Sequence, residues 1–287
     1  MVGSVNFHIR SISLPSRFQS NCIEAELKKL QTFDSSSASD TIQTGFTRLA
    51  ELYNSVEELI RSPLTQQALH RQRHAELVEV ALDGSVGMLD ACTAARDIIL
   101  TMKEKVEDLQ SALRRRGGDS SIENNIHAYI SFRKRMKKEI SKNLRTLKRL
   151  ESNITVSLPI VDADYHLLMV VKALRESSAI TISSFRSLLL FFSMPVMKTK
   201  PGGFFFKLIP AAAEKGQKFL SEVGMTDIAF CNLRGKIRKG DSKIDVQMEL
   251  SRLETIYDKM KGFESGLDCL FRSLIRHRVS LLNILTP

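Results

Sequence analysis

The chain has 287 residues, 43% hydrophobic and 26% charged, which excludes a wholly disordered chain and allows one large core or two small domains. Fourteen Gly, seven Pro, no Trp and 7% aromatics are too few turn formers for a turn-rich β protein and favour helices. The formal net charge of +10 attracts nucleic acid, acidic protein or anionic lipid, and says nothing about fold.

Residues 1–38 read as a flexible N-terminal arm, with Pro15, the run Ser35-Ser36-Ser37 and a short helix around Cys22 to Leu30. Met1 to Ile23 holds Arg10 and Arg17 and no acid, a weak likeness to a transit peptide. From residue 39 to 287 the pattern is that of a single helical bundle domain. Asp40 is placed to cap a helix running to about Arg61, with Ile42, Phe46, Leu49, Val56 and Leu59 on its apolar face and Ser62-Pro63 ending it. Helix resumes at Leu64 and becomes regular past Gly87. Met88, Cys92, Ala95, Ile99, Met102, Val106, Leu109 and Leu113 alternate spacings of four and three, a heptad seam that packs lengthwise on another helix. Arg114, Arg115 and Arg116 suit the negative end of that helix, and Gly117-Gly118 stops it.

The next helix begins near Ser120 and carries Ile122, Ile126, Tyr129, Met136, Ile140, Leu144, Leu147 and Ile154. Pro159 separates it from a fourth, about Asp162 to Met194. Within that one, Ala179 to Met197 is apolar but interrupted by Arg186, and the remainder is too short to span a bilayer, so a core helix is expected. Residues 195–240, with Pro195, Pro201, Gly202, Gly203 and Pro210, read as an irregular basic connection with a short helix at 211–222. The last helix runs from about Asp241 to Leu285. Val246, Leu250, Leu253, Tyr257, Met260, Leu267, Phe271 and Leu274 again follow four-three spacing, with Glu264 in the skipped position. Two such seams are best buried against each other. The expected fold is all-α: an antiparallel bundle of four to six long helices with an irregular connection at about 195–240.

The sequence offers little for catalysis. Cys22, Cys92, Cys231 and Cys269 are scattered singly, with no zinc spacing, and Cys92 and Cys269 fall on apolar faces where they would pack. His70 and His74 share a helix face but lack a third ligand. His8, His127, His166 and His277 are isolated; Asp162 and Asp164 suit a helix start; Gly202-Gly203 matches no phosphate loop. Neither a catalytic residue, nor a metal, nor a cofactor is expected.

Three surfaces carry the functional expectation. The densest charge lies between Arg133 and Arg149: Arg133, Lys134, Arg135, Lys137, Lys138, Lys142, Arg145, Lys148 and Arg149 against Glu139 alone. Such a helix shows one buried stripe and positive charge around the rest. It fits a solvated face, an acidic partner or an anionic membrane surface; nucleic acid is disfavoured, because only Tyr129 and Phe132 are there to stack. Phe204, Phe205 and Phe206, among Lys198, Lys200 and Lys207, fit either insertion at a membrane interface or pinning of the connection to the bundle. In the arm, Arg10, Ser13 and Pro15 stand in the arrangement R-S-x-S-x-P. Phosphorylated Ser13 in that setting is the form read by 14-3-3-type phosphopeptide receptors.

Several segments together carry a resemblance: residues 7–17 (FHIRSISLPSR), Leu89-Asp90-Ala91-Cys92 with Ala95-Arg96-Asp97, residues 108–116 (DLQSALRRR) and residues 278–285 (RVSLLNIL). The chain resembles, nearly end to end, the land-plant domain of unknown function 241 family, which is related to the BYPASS proteins. The resemblance implies a plant source, an all-α fold and no known catalytic activity. Through the related proteins it implies a role in root and shoot development. It carries no catalytic or cofactor residues to this chain. The expectation is therefore a non-enzymatic helical interaction or adaptor protein, with a peripheral membrane protein as the alternative. It would reside in the cytoplasm or at its membrane face, with the nucleus as a further compartment, and its oligomeric state is open.

Overall fold

In the computed structural model the described residues are 23–27, 38–69, 75–115, 119–155, 165–193, 221–238 and 246–285. Residues 23–27 form the short helical segment α1. The chain continues as α2 (Ala38–Arg61), α3 (Pro63–Leu69), α4 (Ala75–Arg114), α5 (Asp119–Thr155), α6 (Tyr165–Ser193), α7 (Glu222–Arg238) and α8 (Val246–Leu285). Among the described residues there is no strand, and the fold is all-α. No described helix is long and apolar enough to cross a membrane.

Local chemistry sets the breaks. Helix α2 begins at Ala38, so Asp40 sits inside its first turn, where its carboxylate meets Lys259 Nζ of α8 at 2.5 Å. Ser62 closes α2 and opens α3: its Oγ accepts from the Thr65 amide at 3.3 Å, and Pro63 takes the first helical position, where no amide is required. Helices α4 and α8 each run 40 residues, about 60 Å.

The α4 seam is buried at every position from Met88 to Leu113. Opposite it lies α8, with Leu250, Leu253, Met260, Leu267 and Leu274 buried and Val246, Tyr257 and Phe271 half-buried. The two helices are antiparallel: Leu82 pairs with Arg278, Cys92 with Leu267, Lys103 with Glu264 and Arg114 with Glu254. Glu264, the polar residue in the skipped seam position, binds Lys103 Nζ at 2.6 Å. Helix α2 runs parallel to α8, through Asp40–Lys259 and Asn54–Arg276, and antiparallel to α6, through Phe46–Phe185 and Tyr53–Thr181. Helix α5 returns antiparallel along α4. Gly87 makes this approach close, because a Cβ there would stand 2.5 Å from Leu150 Cδ1. Among the described residues, α2, α5 and α8 thus point one way and α4 and α6 the other, around one core.

Part of the stretch expected as an irregular connection is regular. Residues 195–220, with most of the short helix expected at 211–222, lie outside the described residues, while Glu222–Arg238 is a helix. Ser221 caps it: its Oγ accepts from the Gly224 amide at 3.2 Å and donates to the Phe191 carbonyl at 2.9 Å. Val223, Phe230, Leu233 and Ile237 are buried, and Phe230 packs on Tyr129 of α5 with ring centroids 5.6 Å apart. Helix α7 is therefore part of the bundle, against α5, α6 and α8. Cys269 is exposed, against the expectation that it packs: α8 turns that position to solvent.

Candidate functional site

Helix α5 separates two chemistries. Ile122, Ile126, Tyr129, Ile130, Phe132, Met136, Ile140 and Leu147 are buried. Lys134, Arg135, Lys138, Lys142, Arg145, Lys148 and Arg149 are exposed. From Arg135 to Lys148 they are spaced by three or four, with Lys134 and Arg149 adjacent to the ends of that run, which keeps these cations on one side of the helix over about 22 Å. Glu139 is an exposed acid among them.

Elsewhere on the bundle, several cations find carboxylates. Lys103 meets Glu264, Arg96 meets Asp268, Arg114 meets Glu254 and Lys172 meets Glu24, at 2.6 to 3.2 Å. At the end of α5, Glu151 binds Arg186, the cation that interrupts the apolar run of α6. Among the described residues, Lys134, Arg135, Lys138, Lys142, Lys148 and Arg149 have no carboxylate within 4.0 Å, and Arg145 Nε donates only to the Ser141 carbonyl at 3.2 Å. Beside this face a groove of about 440 Å³ runs between α4 and α5, with Asp83 and Asp90 on one wall and Arg149 and Asn153 on the other.

Arg133 does not belong to the basic surface. It is fully buried. Its Nε donates to Asp227 Oδ1 at 2.9 Å, and one terminal nitrogen donates to Asp227 Oδ2 at 3.1 Å and to the Phe192 carbonyl at 2.7 Å. The other terminal nitrogen reaches Met102 Sδ at 3.5 Å. The reason is register: the buried line passes from Ile126 and Tyr129 to Met136 and Ile140, and position 133 lies on it. Lys137 is half-buried beside the same pair, and burial lowers its pKa although Asp227 pulls the other way. Asp227 is not legible in the sequence as a partner, because Gly and Pro residues around 195–240 mask the helical pattern that buries it. The skipped apolar position in α5 was the available signal.

Of the remaining candidates, Arg10, Ser13 and Pro15, and Phe204, Phe205 and Phe206, lie outside the described residues, as do His70 and His74. His166 Nε2 is 2.8 Å from Thr65 Oγ1, a link from α6 to α3. Among the described residues, no three of His, Cys, Asp and Glu are grouped to hold a metal ion. Burial pushes the Cys92 thiol and the Tyr53 phenol up to about 12, and holds the His277 imidazole down at about 4. Each is thereby kept neutral near pH 7.

The fold and this face define a class: an all-α bundle presenting one uncompensated basic helix. A family model described as Protein BPS1 matches residues 45–284, and the chain belongs to that family, a plant family linked to development. No curated protein and no solved structure matches the chain.

Proposed function

We propose that the chain is a non-enzymatic interaction protein of the cytoplasm, and that the exposed face of α5 docks an acidic protein partner. The observation that carries this reading is a continuous row of exposed cations along α5 with no carboxylate within 4.0 Å among the described residues, on a bundle where Lys103, Arg96 and Arg114 each meet one. Desolvating such a row against nothing would be costly, whereas a complementary acidic surface attracts it over a Debye length and orients it. The titratable groups argue in the same direction. Cys92, Tyr53 and His277 are shifted away from neutral pH, the reverse of tuning toward a nucleophile or a general base.

Protein is favoured over membrane and nucleic acid by what the face lacks. Among the described residues of α5 there is no exposed large apolar side chain to enter a bilayer. Tyr129 and Phe132, the aromatics available for base stacking, are buried. The N-terminal arm adds a second proposed contact, phosphorylated Ser13 with Arg10 and Pro15, for a 14-3-3-type receptor. The test compares the native chain with Lys138→Glu/Lys142→Glu/Arg145→Glu. Binding is measured to polyglutamate and to phosphatidylserine vesicles at low and high salt. Salt-sensitive polyglutamate binding that the variant loses is expected. Vesicle flotation without polyglutamate binding would replace this reading by the membrane one, and binding to neither would end both.

A further inference from the structure

A second cleft lies just beyond the basic face, at the C-terminal end of α5, where the start of α4, the end of α5, the first half of α6 and the C-terminal half of α8 converge. Leu77, Val80, Ile154 and Leu174 form apolar walls, and the polar groups on it include His277 and Arg175. His277 is 2% exposed and its Nδ1 has no hydrogen-bond partner. Folded chains pair nearly all such buried atoms, so an orphaned ring nitrogen on a side chain that lines a cleft points to something that occupies it. Arg175 is half-buried and has no carboxylate within 4.0 Å among the described residues.

We propose that this cleft binds a small apolar monocarboxylate, whose oxygens accept from the His277 ring and the Arg175 guanidinium while its tail lies on the apolar walls. The volume is about 50 Å³. That is roughly four water-sized positions, enough for a carboxyl group on a short branched tail. One guanidinium and one neutral ring match a single negative charge. A phosphate would bring more charge than they balance, and a cation would be repelled by Arg175. A metal needs more ligands than one imidazole. Because its polar groups, His277 and Arg175, belong to α8 and α6 and not to the basic face of α5, this site stands or falls independently of the docking face.

The experiment follows the His277 ring nitrogens by NMR while isovalerate, and separately isovaleramide, is added to the full chain. Isovalerate is expected to shift them saturably. Arg175→Gln, a change at a half-exposed side chain, is expected to weaken that binding by roughly tenfold through loss of a charge-assisted hydrogen bond. No saturable shift would mean that the cleft holds only water and would overturn the proposal. Equal binding of acid and amide, or no weakening in Arg175→Gln, would overturn the carboxylate assignment.

Discussion

Arg133 and Asp227 stand 94 positions apart in the chain and form a buried two-pronged ion pair, Nε to Oδ1 at 2.9 Å. The same guanidinium holds the Phe192 carbonyl and touches Met102 Sδ. One side chain thus joins α4, α5, α6 and α7. It satisfies a backbone carbonyl in the last turn of α6, where no intrahelical donor exists.

Removing one partner of this pair leaves the other charge buried and unpaired. Asp227→Asn and Arg133→Met are each expected to cost roughly 3–5 kcal/mol in denaturant unfolding. Arg133→Met/Asp227→Leu should lose much less than the sum of the single changes, because no charge is then stranded. Additive losses would mean that the pair acts as two independent residues.

His277 gives a pH signature. Its pKa is held down at about 4 in the fold, against the ordinary 6.5 of an imidazole, and the cause is burial. Between these values the unfolded chain binds more protons than the folded one. Stability therefore falls as pH drops from 6.5 toward 4, by roughly 3 kcal/mol in full, and is unaffected by this group above that window. Urea unfolding of native and His277→Phe protein at pH 4.5 and pH 7 checks it. The His277 ring packs edge-on against Tyr53, with centroids 5.1 Å apart, so the variant keeps a ring there and should lose less stability on acidification.

Two glycines with opposite surroundings test the packing of α2 on α8. A Cβ at Gly266 would stand 3.0 Å from Phe46 Cβ, an atom fixed close to its backbone. Gly266→Ala should therefore destabilise by about 1–3 kcal/mol. At Gly45, within α2, nothing lies within 4 Å of the added carbon. Gly45→Ala should stabilise by about 0.5–1 kcal/mol, through helix propensity and a less flexible unfolded chain. Thermal unfolding of the two variants should move in opposite directions.

The arm makes a prediction of its own. Phosphorylation of Ser13 should create binding to a 14-3-3-type receptor that Ser13→Ala lacks, read by pull-down with purified receptor after kinase treatment. Equal capture of native and variant protein would remove the arm from the account.

Most of the bundle was legible because helical periodicity is a statement about burial. Each α4 seam residue from Met88 to Leu113 is buried, and the partner seam on α8 faces it as the spacing requires. What periodicity could not show was a polar residue standing in an apolar register. Arg133 occupies such a register and reads as one more cation in a basic run. Asp227 occupies another, and its charge, among nearby Gly residues and prolines upstream, disguised α7. Each makes sense only beside the other, and a single sequence does not reveal pairs. The basic face was legible as composition. Its exposure, and its lack of carboxylate partners, required the neighbouring helices to be in place.

The central claim is that the exposed cations of α5 select the partners of this protein. Proximity labelling in plant cells, comparing native protein with Lys138→Glu/Lys142→Glu/Arg145→Glu at matched abundance, tests it most directly. These positions are exposed, so the variant should fold with its unfolding midpoint nearly unchanged. The account predicts that a set of neighbours with acidic surfaces is labelled by the native chain and lost from the variant. An identical set of labelled neighbours for the two proteins would contradict it.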